Sequence, residues 1–361
     1  MIERLEVSIK RGHIKIRTDP TLQEPLIHSS VPLTQTQHDA TLRLESTFRQ
    51  SLDLEIALPP NMQDIAVNCG LGNTELQDLI IQNGEINVGN GNFHADHIEG
   101  HWDINLGHGD LTLGHGRGYF DLNAGLGAIR LHQLNQVTAD VNAGLGPVLM
   151  EDCHGTFDIN AGKGDVNIEA LQGQVEVNAG LGKIVLMASR DVECECHAGL
   201  GSITLKDGTY RRAELVTGIG KIDVHAKTAS LTAKVESRGD INVEIPTDLT
   251  CRIEASTDQG RIISHLDLVE VNNPGPARGH RLVGRIGTGS GGVINLHTRK
   301  GDISLSQYPA PVETTAESTN SGADHIDPRA VILEKLQQGI ITVEEAAILL
   351  DRLEGDQNQA T

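Results

Sequence analysis

One step, Gly-x-Gly, recurs down the chain at a nearly constant interval, and no other feature constrains the fold as strongly. The pairs are Gly70/Gly72, Gly89/Gly91, Gly107/Gly109, Gly125/Gly127, Gly144/Gly146, Gly162/Gly164, Gly180/Gly182, Gly199/Gly201 and Gly218/Gly220, 18 or 19 residues apart throughout. So fixed a period marks stacked repeats, each too thin to bury its own apolar face and each covered by its neighbours.

The residues around each step alternate with period two. Val175, Val177 and Ala179 precede one pair, and Phe157, Ile159 and Ala161 precede another. Behind the pairs come Ile129/Leu131, Val148/Met150, Val166/Ile168, Ile184/Leu186, Ile203/Leu205 and Ile222/Val224. Each repeat therefore reads as two short strands joined at a glycine corner. Eighteen residues leave no room for a crossover helix, so equivalent strands must pair with the repeats above and below, at a rung spacing of about 4.8 Å. The expected fold is mainly β, a parallel β-solenoid of 18–19-residue coils, followed by a small C-terminal αα-hairpin. Nine copies of the step, none opening a helix, set aside a phosphate-binding loop. Apolar spacing of two rather than six sets aside the left-handed hexapeptide helix.

The ends depart from the repeat. Residues 1–60 alternate as strands without the full pattern and read as a strand-rich cap, which a terminal coil needs to cover its open edge. The repeats occupy 61–306, with one long loop expected at 265–285. Residues 307–325 read as a flexible linker. From 326 to 355, Gly339 separates two helical patterns, and Thr342 with Glu345 forms a capping box for the second. The apolar face of that hairpin, Leu333, Leu336, Ile340, Leu349, Leu350 and Leu353, is too large for so few residues to bury and needs another surface.

Composition narrows the function. The chain has 361 residues and a formal charge of −20. That balance argues against a nucleic-acid backbone and against direct membrane insertion, as does the lack of a long apolar run. With no signal-peptide pattern at residue 1, a cytoplasmic location is expected. Aromatics make up 2% of the chain and Trp102 is the sole tryptophan, so the cleft of a sugar-active enzyme is poorly supplied. No catalytic residue and no cofactor is expected.

The outward positions are unusually uniform. Four residues before each first glycine stand Glu85, Asp103, Asp121, Asp140, Asp158, Glu176, Glu195 and Glu214; two before it stand Asn68, Asn87, Asn105, Asn123, Asn142, Asn160, Asn178 and then His197. Stacked in register these make an acidic ladder beside an asparagine ladder. Asparagines can hydrogen-bond along such a stack and exposed charge keeps a sheet soluble, which is the plain account. Like charges one rung apart nonetheless repel by nearly ~1 kcal/mol per pair in water. The row Glu85, Asp103, Asp121, Asp140, Asp158 and Glu176 is therefore a candidate for a divalent cation. Cys69, Cys194 and Cys196 fall at inward positions and read as core. Histidines gather at His94, His97, His101, His108 and His115, and His97 and His115 hold equivalent places in successive coils, where a surface metal site could arise.

The V-x-V-x-A-G-x-G-x-I-x-L repeat over roughly 60–306 and the segment Ile332–Leu353, with its Gly-Ile-Ile-Thr-x-Glu-Glu-Ala turn, together resemble a bacterial family of β-strand-repeat proteins that carries the label adhesin without an assigned function. The C-terminal part is similar to the SHOCT (short C-terminal) helical module. This resemblance implies a non-catalytic protein, a scaffold whose hairpin serves self-association or a protein partner, with some relatives tied to envelope stress. Two alternatives stay open: a bactofilin-like structural protein that polymerises end to end, and a polysaccharide-active β-helix enzyme.

Overall fold

The computed structural model describes residues 2–46, 51–272, 280–288 and 291–309. They form a parallel β-solenoid, hydrogen-bonded into one continuous sheet of 28 strands. Among the described residues there is no helix, and so none long and apolar enough to cross a membrane. The hairpin expected at 326–355, with Leu333, Leu336, Ile340, Leu349, Leu350 and Leu353, lies outside the described residues, as does all of the linker beyond residue 309.

Each central coil has one longer and one shorter strand. In Gln172–Leu181 the inward side chains are Val175, Val177 and Ala179; in Ile184–Met187 they are Ile184 and Leu186. Alternation sends every second residue into a core of aliphatic side chains that runs unbroken along the stack. Rungs match position for position: Val175 faces Phe157 on one side and Cys194 on the other. The large side chains are accommodated by small ones in the next coil. Trp102, fully buried, lies over Gly84, where an added Cβ would stand 2.1 Å from the indole ring.

The glycine corner is dictated by the stacking. Gly146 has φ +146°, and a Cβ there would fall 1.9 Å from the carbonyl oxygen of Gly127 in the coil below. Only glycine leaves the backbone that close to its neighbour. The second corner is turned differently, by a residue in left-handed conformation in each of eight successive coils: Asp78, His97, His115, Gln133, Asp152, Ala170, Ala188 and Asp207, with φ between 48° and 55°; Gln136 and Asp191, both at 55°, add a second one in two of them.

At both ends spatial order departs from chain order. Arg4–Thr18 is not the outermost strand; it pairs in parallel with Thr41–Ser46 and Leu52–Leu58 on one side and with Asp64–Leu71 and Thr74–Asn90 on the other. The outer coil is covered by two short antiparallel strands, Leu26–Ser29 and Thr34–His38. At the other end Gly292–Lys300 inserts between Ser230–Arg238 and Cys251–Gln259. The segment expected as a long loop at 265–285 contains the strands Val269–Asn272 and His280–Ile286, of which the second pairs antiparallel with Cys251–Gln259.

Candidate interaction surface

Strand register brings the outward acids into one row. Glu85 faces Asp103, Asp103 faces Asp121, and the row continues through Asp140, Asp158, Glu176 and Glu195 to Glu214. The asparagines stack beside it from Asn68 to Asn178 and end on His197.

In five coils an asparagine hydrogen-bonds the two rows to each other. Asn87 Nδ2 donates to Glu85 at 2.9 Å, Asn105 to Asp103 at 2.7 Å, Asn123 to Asp121 at 2.8 Å, Asn160 to Asp158 at 3.1 Å and Asn178 to Glu176 at 3.2 Å. Asparagines also bond between coils, from Asn87 to Asn68, Asn105 to Asn87 and Asn142 to Asn123. Amide dipoles thus meet much of the carboxylate charge. Tyr119 adds a hydroxyl donor to Asp140 at 2.5 Å, and Arg212 pairs with Glu214 at 3.1 Å.

The repulsion is not cancelled everywhere. Partial burial, and after it the charges of Glu176 and Asp140, push the Asp158 carboxyl above the usual aspartate value, while Asn160 pulls the other way. Next to Asp158 a hollow is lined by Glu176, Glu193, Glu195, Glu214 and Arg212, mostly one sign of charge. Among the described residues, however, three metal-type donors come within 4.8 Å of one another at Asp96, His97 and His115, outside this row.

A long concavity follows the asparagine row. A shallow groove of about 770 Å³ passes from Ser8 to Asn160, walled by asparagines and floored by Gly70, Gly89, Gly107, Gly125 and Gly144. The middle residue of six of the nine Gly-x-Gly steps is apolar and exposed to an unusual degree, Leu71 41%, Leu126 39%, Leu145 50%, Leu181 43%, Leu200 50% and Ile219 48%, with Asn90, His108 and Lys163 interrupting the row. This broken ridge was not anticipated. The signal was present, since a leucine recurs inside the glycine step, but inward and outward counting stopped at the glycines on either side.

The cysteines are all buried and free, including Cys153 and Cys251, for which the repeat pattern made no assignment. Burial pushes the thiols of Cys153 and Cys251 up to about 11. Cys194 shares a hydrogen bond with Cys196, which with burial raises the Cys196 thiol. Raised thiols of this kind at Cys153, Cys196 and Cys251 are those of packed core residues, not of nucleophiles.

A family model described as Toastrack DUF4097 matches residues 27–207 and 155–306. No curated protein matches the chain. Two solved structures are similar to it over most of their length. A candidate cell adhesion protein from Clostridium sporogenes is 11% identical, with 85% of this chain and 94% of that chain covered and a TM-score of 0.16. A candidate adhesin from Bacteroides fragilis is 9% identical, with coverage of 85% and 92% and a TM-score of 0.19.

Proposed function

The chain belongs to the Toastrack DUF4097 family, and from that premise we propose that it is a non-catalytic scaffold that presents a repeated surface to protein partners. One observation carries the reading. The groove, the asparagine wall and the acidic row repeat coil after coil, so the surface offers the same contact many times rather than one set of side chains converging on a reacting centre. Repetition of that kind gains from contacts made in parallel, each weak and together strong.

The finer parts of the proposal rest on the sequence of residues 326–355. By their sequence spacing Leu333, Leu336, Ile340, Leu349, Leu350 and Leu353 supply the apolar stripe of a self-association or docking device, and an envelope-stress role follows from the resemblance to a family some of whose relatives are tied to it. Light scattering on the full chain and on a chain ending at Pro311 tests it; the cut clears the last described strand, Ile303–Tyr308. We expect a multimer for the full chain and a monomer for the shorter one. Equal masses would remove the association role of the C-terminal segment, and assembly of the shorter chain would favour a polymerising solenoid.

A further inference from the structure

The side chains of Asp96, His97 and His115 converge outside the acidic row. Asp96 ends the inward-outward alternation of one coil, and His97 and His115 are the left-handed corner residues of that coil and the next, with φ 52° and 48°. Stacking sets the two imidazoles face to face, ring centroids 4.3 Å apart and planes 7° from parallel. Both rings turn Nδ1 toward one carboxylate: His115 at 2.7 Å from one Asp96 oxygen, His97 at 3.0 Å from the other.

The coil above leaves room for this. Gly114 is the rung partner of Asp96, and a Cβ there would stand 2.7 Å from Asp96 Oδ1 and 2.3 Å from the ring of His132. The missing side chain lets the carboxylate lean across from one side and His132 from the other, and His132 lies edge-on to His115 at 5.9 Å. Other coils place Gln77, Glu151, Glu169 and Met187 where Asp96 stands, and none pairs that residue with two histidines. The arrangement is thus a local feature, not a product of the repeat.

We propose that Asp96, His97 and His115 bind a single first-row transition-metal ion, with His132 or water in the fourth position. The donor set decides the ion class. Two imidazole nitrogens and one carboxylate suit zinc, nickel or copper, whereas calcium and magnesium take oxygen. Each neutral imidazole offers its Nδ1 lone pair when its proton sits on Nε2, which these half-exposed rings can leave to solvent. The three donor atoms already lie within 4.8 Å of one another, and small side-chain movements bring them to the roughly 3.3 Å spacing that a tetrahedral ion with ~2.0 Å bonds requires. An ion held there ties two successive coils together.

The test uses untagged full-length protein stripped with chelator and titrated calorimetrically with zinc and, separately, calcium. His97→Ala and His115→Ala are mild probes of the fold, because Ala170 and Ala188 occupy the same left-handed corner in other coils. We expect one zinc per chain, no competition from calcium, and about a tenfold or greater loss of affinity in either variant. Cobalt in place of zinc should show visible d–d bands without a thiolate charge-transfer band. No uptake at submillimolar zinc, equal binding by the His97→Ala/His115→Ala double variant, or a thiolate band pointing to Cys194 and Cys196 would each overturn the proposal.

Discussion

Replacing Asp158 by Asn isolates the cost of the acidic row. Asp158 faces Asp140 on one rung and Glu176 on the other, with strands about 4.8 Å apart. Two like-charge pairs at that distance repel by nearly ~1 kcal/mol each in water, and physiological salt roughly halves this, leaving about 1 kcal/mol in total. Asparagine keeps an acceptor for the 3.1 Å bond from Asn160 and has nearly the same shape, so little is lost in return. Asp158→Asn should therefore stabilise the protein by about 1 kcal/mol at pH 7, read as a higher urea midpoint with unchanged slope.

The pH dependence has a definite sign. Partial burial and the two neighbours raise the native carboxyl above its unfolded value of 3.8, so the native state holds this proton more tightly. Wild type is free of the penalty below 3.8 and acquires it as pH rises through the raised native value. The advantage of Asp158→Asn should be present at neutral pH and vanish in strong acid, and it should collapse in molar salt. A variant less stable than wild type at pH 7 and low salt, or a gain indifferent to salt, would refute the electrostatic argument. Calcium gives a second arm: if the row holds cations, millimolar calcium stabilises wild type and loses that effect in the variant. If calcium changes neither protein, the row of Glu85, Asp103, Asp121, Asp140, Asp158 and Glu176 acts only as a solvated face.

Neighbouring residues at one glycine corner should respond in opposite ways. Gly146→Ala forces a Cβ to within 1.9 Å of a backbone oxygen at φ +146° and should cost at least about 2–3 kcal/mol, whereas Leu145→Ser, at a half-exposed position, should shift the urea midpoint by less than about 0.5 kcal/mol. The five thiols should ignore a disulfide reagent until the solenoid opens, because all are buried and Cys153 and Cys251 are pushed up to about 11; fast labelling of any of them in the native protein at pH 8 would contradict the packing.

The solenoid was legible because its cause is local and repeated. A glycine pair that stacks on a glycine pair leaves the same mark in every coil, and inward positions such as Val177 and Ile184 follow by counting from it. What counting cannot give is a contact made once. Asp96 reads as an ordinary outward residue until the rung opposite proves to be Gly114, and only then do His97 and His115 gain the shared carboxylate that a metal site needs. The end topology was hidden for the same reason. Nothing in the alternation of Arg4–Thr18 says that it pairs on both edges, since an inner and an outer strand of this kind carry the same apolar spacing.

That end topology bears directly on assembly. For coils of two molecules to stack end to end, each must offer a parallel strand edge with an 18- or 19-residue register. At the N-terminal end the outer coil instead meets Leu26–Ser29 and Thr34–His38, which run antiparallel, and the second of these, Thr-Gln-Thr-Gln-His, is wholly exposed. At the other end His280–Ile286 does the same for Cys251–Gln259. A short polar antiparallel edge is a poor template for a parallel coil. Both chain segments that could peel away, Arg4–Thr18 and Gly292–Lys300, are held one coil in, paired on two sides, so fraying must break two ladders at once. Association through the lateral surface leaves these ends undisturbed, whereas a filament would first have to remove them.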